Sequence, residues 1–215
     1  MQPSTAAASS GAGVSIVLVD DHPATLEGLA RLAAGCGATV LARCGDGDTA
    51  LAAILALQPD IVLLDLTMGP PDGRAVLAEI IRRRLRTRVI VYSMHCEAER
   101  IAIVLHEGAR GYLTKTASPD ELAAALRTVM AGREYIAEEH RAAVDEVRGR
   151  DLPRLSPRER DVLLGIEQGL KDHEIALALF ITRETVRTHL KRAAAKLGVS
   201  GRTACVVKAR RLGLL

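Results

Sequence analysis

Ile61-Val62-Leu63-Leu64-Asp65 is a run of four aliphatic residues closed by a carboxylate. A strand with one wet face alternates apolar and polar residues. This one is apolar throughout, so it needs cover on both faces, as the strands of a parallel sheet with helices on either side do. Three segments share its form. They are Ile16-Val17-Leu18-Val19-Asp20-Asp21, Val89-Ile90-Val91-Tyr92-Ser93 and Gly111-Tyr112-Leu113-Thr114-Lys115. The first ends in two acids, the second in a hydroxyl and the third in an ammonium.

Outward from these runs the pattern alternates. Strands are predicted at 15–20, 39–44, 60–65, 88–93 and 110–113, and helices at 23–34, 48–57, 72–84, 97–107 and 119–131. Repeated strand-then-helix units predict an α/β domain with a five-stranded, doubly wound parallel sheet. The boundaries agree. Pro23 and Pro119 suit the first turn of a helix, and Ser118-Pro119-Asp120-Glu121 has the form of a capping box. Gly132 stands where a helix end favours a left-handed residue.

From Pro157 onward the pattern is helical, with candidates at 157–168, 173–180, 183–197 and 201–212. Ser156, Pro157 and Glu159 form a second capping box, and Thr182 is a good N-cap for the third helix. Leu163, Leu164, Ile175, Ala176, Leu179, Val186 and Leu190 recur at helical spacing as a small core. Two short helices joined tightly, the second one basic, form a helix-turn-helix. The organisation is thus a disordered N-terminal tail at 1–13, an α/β domain at 14–131, a linker at 132–153 and a small all-α domain at 154–215.

Charge follows this division. The 215-residue chain has a net charge of +3, but residues 1–153 carry a net −4 and residues 154–215 a net +7. A basic block behind an acidic one suggests a polyanion-binding module attached to a different function. Aromatic residues are 2% of the chain, so the core must be aliphatic. Cys36, Cys44, Cys96 and Cys205 show no metal-ligand spacing and read as reduced thiols. No apolar run is long enough to span a membrane and the N-terminus lacks the form of a secretory signal, so a cytoplasmic location is expected.

Open parallel sheets place their sites beyond the carboxyl ends of the strands. Asp20, Asp21, Asp65, Ser93 and Lys115 all fall there. Acids crowded in one cavity repel one another unless a cation joins them, and Mg²⁺ suits an all-oxygen site. Asp65 can serve as a nucleophile, with Lys115 stabilising charge on a transferring phosphoryl group. His22 and His95 lie nearby but show no ligand spacing and read as loop residues.

This segment resembles the receiver domain of two-component response regulators, a flavodoxin-like fold. The resemblance implies that Asp20 and Asp21 are the metal-binding acid pair, with Asp65 and the backbone carbonyl of Thr67 completing the Mg²⁺ site. It implies that Asp65 is the phosphoacceptor, Ser93 the switch hydroxyl, Tyr112 the switch aromatic and Lys115 the invariant lysine. The chain departs from the family at Gly69, where a proline usually follows the methionine; here Pro70 and Pro71 come next, so the loop is expected to take its own shape.

The basic segment resembles the helix-turn-helix of NarL/FixJ (LuxR-type) regulators. The matching residues are Leu155, Ser156, Arg158, Glu159, Gly169, Glu174-Ile175-Ala176, Thr185-Val186-Arg187-Thr188-His189 and Lys196-Leu197-Gly198-Val199. By position, Arg187, Thr188 and Lys191 would read bases in the major groove. Lys171, Arg183 and Arg192 would contact phosphates. Ala193 and Ala194 replace larger residues, so thinner core packing is expected there. Asp172-His173 replaces an Asn-Lys pair, which removes a positive charge.

Together these resemblances imply a phosphorylation-controlled transcriptional regulator rather than an enzyme. Its expected partners are double-stranded DNA, a sensor histidine kinase and a second copy of itself, with RNA polymerase as a further candidate and no membrane. The last helix, through Val206, Val207 and Leu212, is the expected dimer contact. Two alternatives stand beside this reading. An aspartate-based phosphohydrolase would need a second Asp at position 67, where the chain has Thr. A phosphorylation-independent DNA-binding regulator would use the receiver only for dimerisation.

Overall fold

The computed structural model describes residues 13–148 and 152–215. The expected N-terminal tail lies, but for its last residue, outside the described residues. The chain forms two compact units. One runs to Cys96 and resumes over Val104–Arg141; the other joins Glu97–Ile103 to Ala142–Leu215.

The first unit is built on a parallel sheet. Its strands are β1 (Ser15–Val19), β2 (Thr39–Cys44), β3 (Ile61–Leu64), β4 (Arg88–Ser93), β5 (Gly111–Thr114) and β6 (Tyr135–Ile136), in the order β2-β1-β3-β4-β5-β6. The helices between them are α1 (Pro23–Gly35), α2 (Gly47–Leu57), α3 (Gly73–Arg82), α4 (Ala98–His106) and α5 (Pro119–Met130), followed by α6 (Glu138–Arg148); most of α4 and of α6 is counted with the second unit. The five predicted strands are present. The sheet has a sixth, because Tyr135 and Ile136 pair with Gly111 and Tyr112. The stretch expected to be a linker at 132–153 therefore holds a short strand, paired to β5 with Ile136 buried, and the whole of α6.

Every residue of β3 is buried, as its composition required. Register places β1, β3, β4 and β5 side by side, with Val19 opposite Leu64, Leu64 opposite Val91 and Ser93 opposite Thr114. The residues following β1, β3 and β5 are therefore brought to one edge with Ser93. Ile16, Leu18, Leu63 and Ile90 pack against Leu29 of α1 and Leu126 of α5 on one face.

The helix-to-strand turns from α1 to β6 share a device. Each passes through a left-handed residue: Gly37, Gln58, Arg84, Gly108 and Gly132. Of the reverse boundaries, from strand to helix, those into α2, α3 and α5 use side-chain caps. Asp46, Asp72 and Ser118 accept from the backbone N–H of Thr49, Ala75 and Glu121. The Ser118–Glu121 capping box forms as predicted.

The second unit contains α7 (Pro157–Glu167), α8 (Asp172–Ala178), α9 (Arg183–Leu197) and α10 (Arg202–Arg211). Val162, Leu163, Ile175, Val186, Ala193, Leu197 and Cys205 form its core. The short alanine at 193 is fully buried, so the helices close over it. Gly169 and Gly198 are left-handed after α7 and α9, and Thr182 caps α9 through the Thr185 N–H at 3.1 Å. Leu212, expected at a dimer contact, is instead 3% exposed within this core, while Val207 is 63% exposed. The terminal turn returns Leu212, Leu214 and Leu215 to the domain interior, which removes Leu212 from any outer face.

Glu159 ties this unit together. It is 2% exposed, completes the capping box with Ser156, and accepts from Lys196 Nζ on α9 at 2.6 Å. Burial works to raise its pKa, but the bond and charge of Lys196 and the Ser156 N–H outweigh burial and hold the carboxyl below its ordinary value. A carboxyl depressed by folding stabilises above its unfolded pKa, and that stability is lost as pH falls through the folded value. The unit should therefore weaken as pH drops below about 4.3. Glu159→Gln should flatten that region of the curve and cost about 1.5 kcal/mol at neutral pH. Urea unfolding followed by far-UV circular dichroism at several pH values checks both.

Candidate functional site

The carboxyl edge of the sheet gathers the predicted groups. Asp20 follows β1 and is 1% exposed; Asp65 follows β3 and is 3% exposed; Ser93 ends β4 and is fully buried. Lys115 follows β5, and its Nζ donates to Asp20 Oδ2 and to Asp65 Oδ2, each at 2.6 Å. Three strands far apart in sequence thus converge on one ammonium. Its backbone N–H is held by the Ser93 carbonyl at 2.8 Å, which fixes where the side chain starts. Burial acts to lower the Lys115 pKa, but hydrogen bonds and charge from Asp20 and Asp65 win and hold it above the ordinary lysine value. The ammonium is therefore charged throughout the neutral range.

The remaining carboxylate oxygens are oriented by the loops. Asp65 Oδ1 accepts from the Thr67 N–H at 2.9 Å, and Asp20 Oδ1 from the His22 N–H at 2.9 Å. Asp21 lies at the rim, more exposed than the other two acids, with its Oδ1 2.7 Å from His22 Nδ1. Among the described residues, Asp20, Asp21 and His22 form a group whose ligand atoms lie within 4.8 Å of one another. His22 was read as a loop residue; the turn into α1 brings its ring onto the acid pair because Pro23 starts the helix immediately after it. Asp65 is joined to this group through Lys115.

Tyr112 is 2% exposed and its hydroxyl donates to the His95 carbonyl at 2.8 Å, while Ser93 Oγ accepts from the His95 N–H at 3.3 Å. The β4 exit loop is thus held at one residue by both a hydroxyl and an aromatic. Gly73 was not singled out in the sequence. A Cβ on it would lie 2.0 Å from the Asp65 carbonyl oxygen. The bare backbone at the start of α3 is what lets the helix sit against the Asp65 strand end. The only sequence signal was the Asp72-Gly73 pair at a helix start.

In the second unit, Arg183, Arg187, Thr188, Lys191 and Arg192 are all exposed on α9, and Lys171 is exposed before α8. Val186 is turned fully inward and Leu190 partly so. A polar, cationic surface of this kind on a helix of 15 residues has the dimensions to enter a major groove. Sequence reasoning missed that Arg202, from α10, joins Lys171, Arg183 and Arg187 around one cleft.

Residues 16–127 match the response regulator receiver domain, and residues 153–209 match the bacterial regulatory proteins of the luxR family. The chain belongs to the LuxR-type response regulators. This regulator is 38% identical over 207 residues to the probable transcriptional regulatory protein NarL of Mycobacterium tuberculosis strain H37Rv, covering 94% of this chain and 96% of that one. It is 33% identical over 205 residues to the nitrate/nitrite response regulator protein NarL of Escherichia coli K12, covering 90% and 93%. Among solved structures it is similar to the response regulator ChrA of a heme-sensing two-component system, at 32% identity and a TM-score of 0.52 over 94% of this chain and 99% of that one. It is also similar to RcsB of Salmonella enterica serovar Typhimurium bound to promoter rprA with the phosphomimetic BeF3⁻, at 26% identity and a TM-score of 0.65 over 92% and 98%.

The regulator is therefore a phosphorylation-controlled, DNA-binding regulator of transcription and not an enzyme. That sets aside the phosphohydrolase alternative. Among its described residues, no helix is long and apolar enough to cross a membrane.

Proposed function

We propose that Asp65 accepts a phosphoryl group from a sensor histidine kinase and that this modification governs dimerisation and DNA binding. The observation that carries the proposal is the position of Lys115 Nζ, 2.6 Å from both Asp20 and Asp65. A carboxylate oxygen of Asp65 forms the new bond to phosphorus as the bond to the donor histidine nitrogen breaks and that nitrogen keeps the electron pair. Lys115 neutralises charge on the phosphoryl oxygens. Ser93 offers a hydroxyl to one of them, and Tyr112 couples the loop it holds to the event.

The pocket suits Mg²⁺ because its donors are oxygens and two nearly solvent-free carboxylates share a single ammonium. Asp20, Asp21, Asp65 and the Thr67 carbonyl would hold it. When bound, the ion supplies positive charge against the transferring group.

We place the receiver at 14–131, with β6 completing its sheet beyond that bound, and the DNA-binding domain at 154–215, joined through the rest of 132–153, with the protein working in the cytoplasm. Arg187, Thr188 and Lys191 read bases, while Arg183, Arg192 and Lys171 contact phosphates. Two copies would bind half-sites about one DNA turn apart. RNA polymerase is a further partner at the promoter.

Labelling with radioactive acetyl phosphate tests the acceptor. Asp65→Asn should abolish incorporation, with the wild-type label mapping to Asp65. Label retained by the variant at another residue would refute the assignment.

A further inference from the structure

The cleft between α8 and α9 has a volume of about 420 Å³ and is lined by Lys171, His173, Arg183, Arg187 and Arg202 around a single acid, Asp172. Asp172 is the first residue of α8. Its Oδ1 accepts from Arg202 Nη1, and its Oδ2 lies 3.5 Å from Arg187 Nε. Arg202 also donates to the Leu170 carbonyl. Arg187 has a second acid within reach, Glu184 Oε2 at 3.8 Å from Nη1. A carboxylate thus sits among four permanent cations on the surface that faces a polyphosphate.

We propose that Asp172 is a specificity-determining residue that restrains Arg187 and so limits sequence-independent binding. The proposal rests on the DNA-binding reading and adds to it. Magnitudes decide how it works. An ion pair as exposed as Asp172–Arg187 is worth at most about 1 kcal/mol. A guanine edge accepting two bonds from an arginine is worth about 1–3 kcal/mol, so a matched base draws Arg187 away from the acid. A single phosphate contact competes with Asp172 roughly evenly, and the carboxylate also repels that phosphate. Arg187 therefore engages where the base rewards it and is held back elsewhere.

Asp172 also has a structural bond to Arg202, so the test must separate the two roles. Duplexes are first enriched from a random pool on the full-length wild-type protein with beryllofluoride and Mg²⁺. Fluorescence anisotropy then gives affinities for an enriched and a random duplex across a salt series.

Asp172→Asn keeps the shape and a hydrogen-bond acceptor. It should bind the random duplex about fivefold more tightly at low salt, with a steeper salt dependence. Its ratio of enriched to random affinity should fall. Asp172→Glu should recover the wild-type ratio. Arg202→Ala removes the bonds to Asp172 and the Leu170 carbonyl and one surface cation but leaves the Asp172–Arg187 pair, so it should weaken both duplexes alike and leave the ratio in place. With Arg187→Ala as background, Asp172→Asn should no longer alter the ratio.

Thermal midpoints confirm that each variant is folded, and the Arg187→Ala background keeps the comparison informative if Asp172→Asn is destabilised. An Asp172→Asn protein with unchanged random affinity and unchanged ratio overturns the proposal alone. A wild type that enriches no duplex overturns the DNA-binding reading as well.

Discussion

Lys115→Met should lower the stability of the receiver by about 3–5 kcal/mol when measured at pH 7 in EDTA, because it strands two buried carboxylates with no opposing charge. Asp20 and Asp65 are 1% and 3% exposed, so water cannot take over the role of the ammonium. Lys115 has a pKa raised by these acids. Its stabilising contribution is fully present below the unfolded lysine value and is lost only as pH rises through the higher folded one. Neutral pH therefore reads the full effect. Excess Mg²⁺ should recover much of the loss, since a cation binding the native pocket stabilises it by mass action. Urea unfolding with and without Mg²⁺ gives both numbers. A loss under about 1 kcal/mol would mean that the acids are satisfied without Lys115.

Gly73→Ala should be almost as damaging, through the backbone rather than charge. The added methyl would lie 2.0 Å from the Asp65 carbonyl oxygen and 2.7 Å from the Leu66 Cα. Neither is the end of a flexible side chain, so α3 or the β3 exit must shift. Overpacking of this kind costs about 3 kcal/mol. The shift also moves Asp65 relative to Lys115, so acetyl-phosphate labelling should fall by about tenfold or more. Asp72→Ala is the comparison: it removes the cap on α3 without filling the space and should cost about 1 kcal/mol. Gly73→Ala labelling equal to wild type would show that the close approach does not position Asp65.

Much of the receiver was legible because its signals are local. Four apolar runs ending in Asp, Asp, Ser and Lys specify four buried parallel strands, and parallel register then brings those ends together. What stayed hidden depended on tertiary pairing. β6 is two residues long, too short for any periodicity, and exists because β5 offers an edge at Gly111 and Tyr112. Gly73 carries no signal of its own in the sequence, since closeness to Asp65 is set by how α3 docks. Leu212 is an apolar residue expected at the dimer contact, yet the chain folds back after α10 and buries it. The pairing of Asp172 with Arg187 and Arg202 joins three helices and has no sequence period.

The left-handed turns of the receiver all lie at the amino rim of the sheet, opposite Asp65. Gly37, Gly108 and Gly132 serve three of them, while Gln58 and Arg84 show that the turn tolerates other residues. Bends that stop helices and groups that transfer charge therefore occupy opposite poles of one small body. A residue exchanged in one of these bends therefore alters the sheet at the rim away from Asp65 and leaves the acidic edge in place.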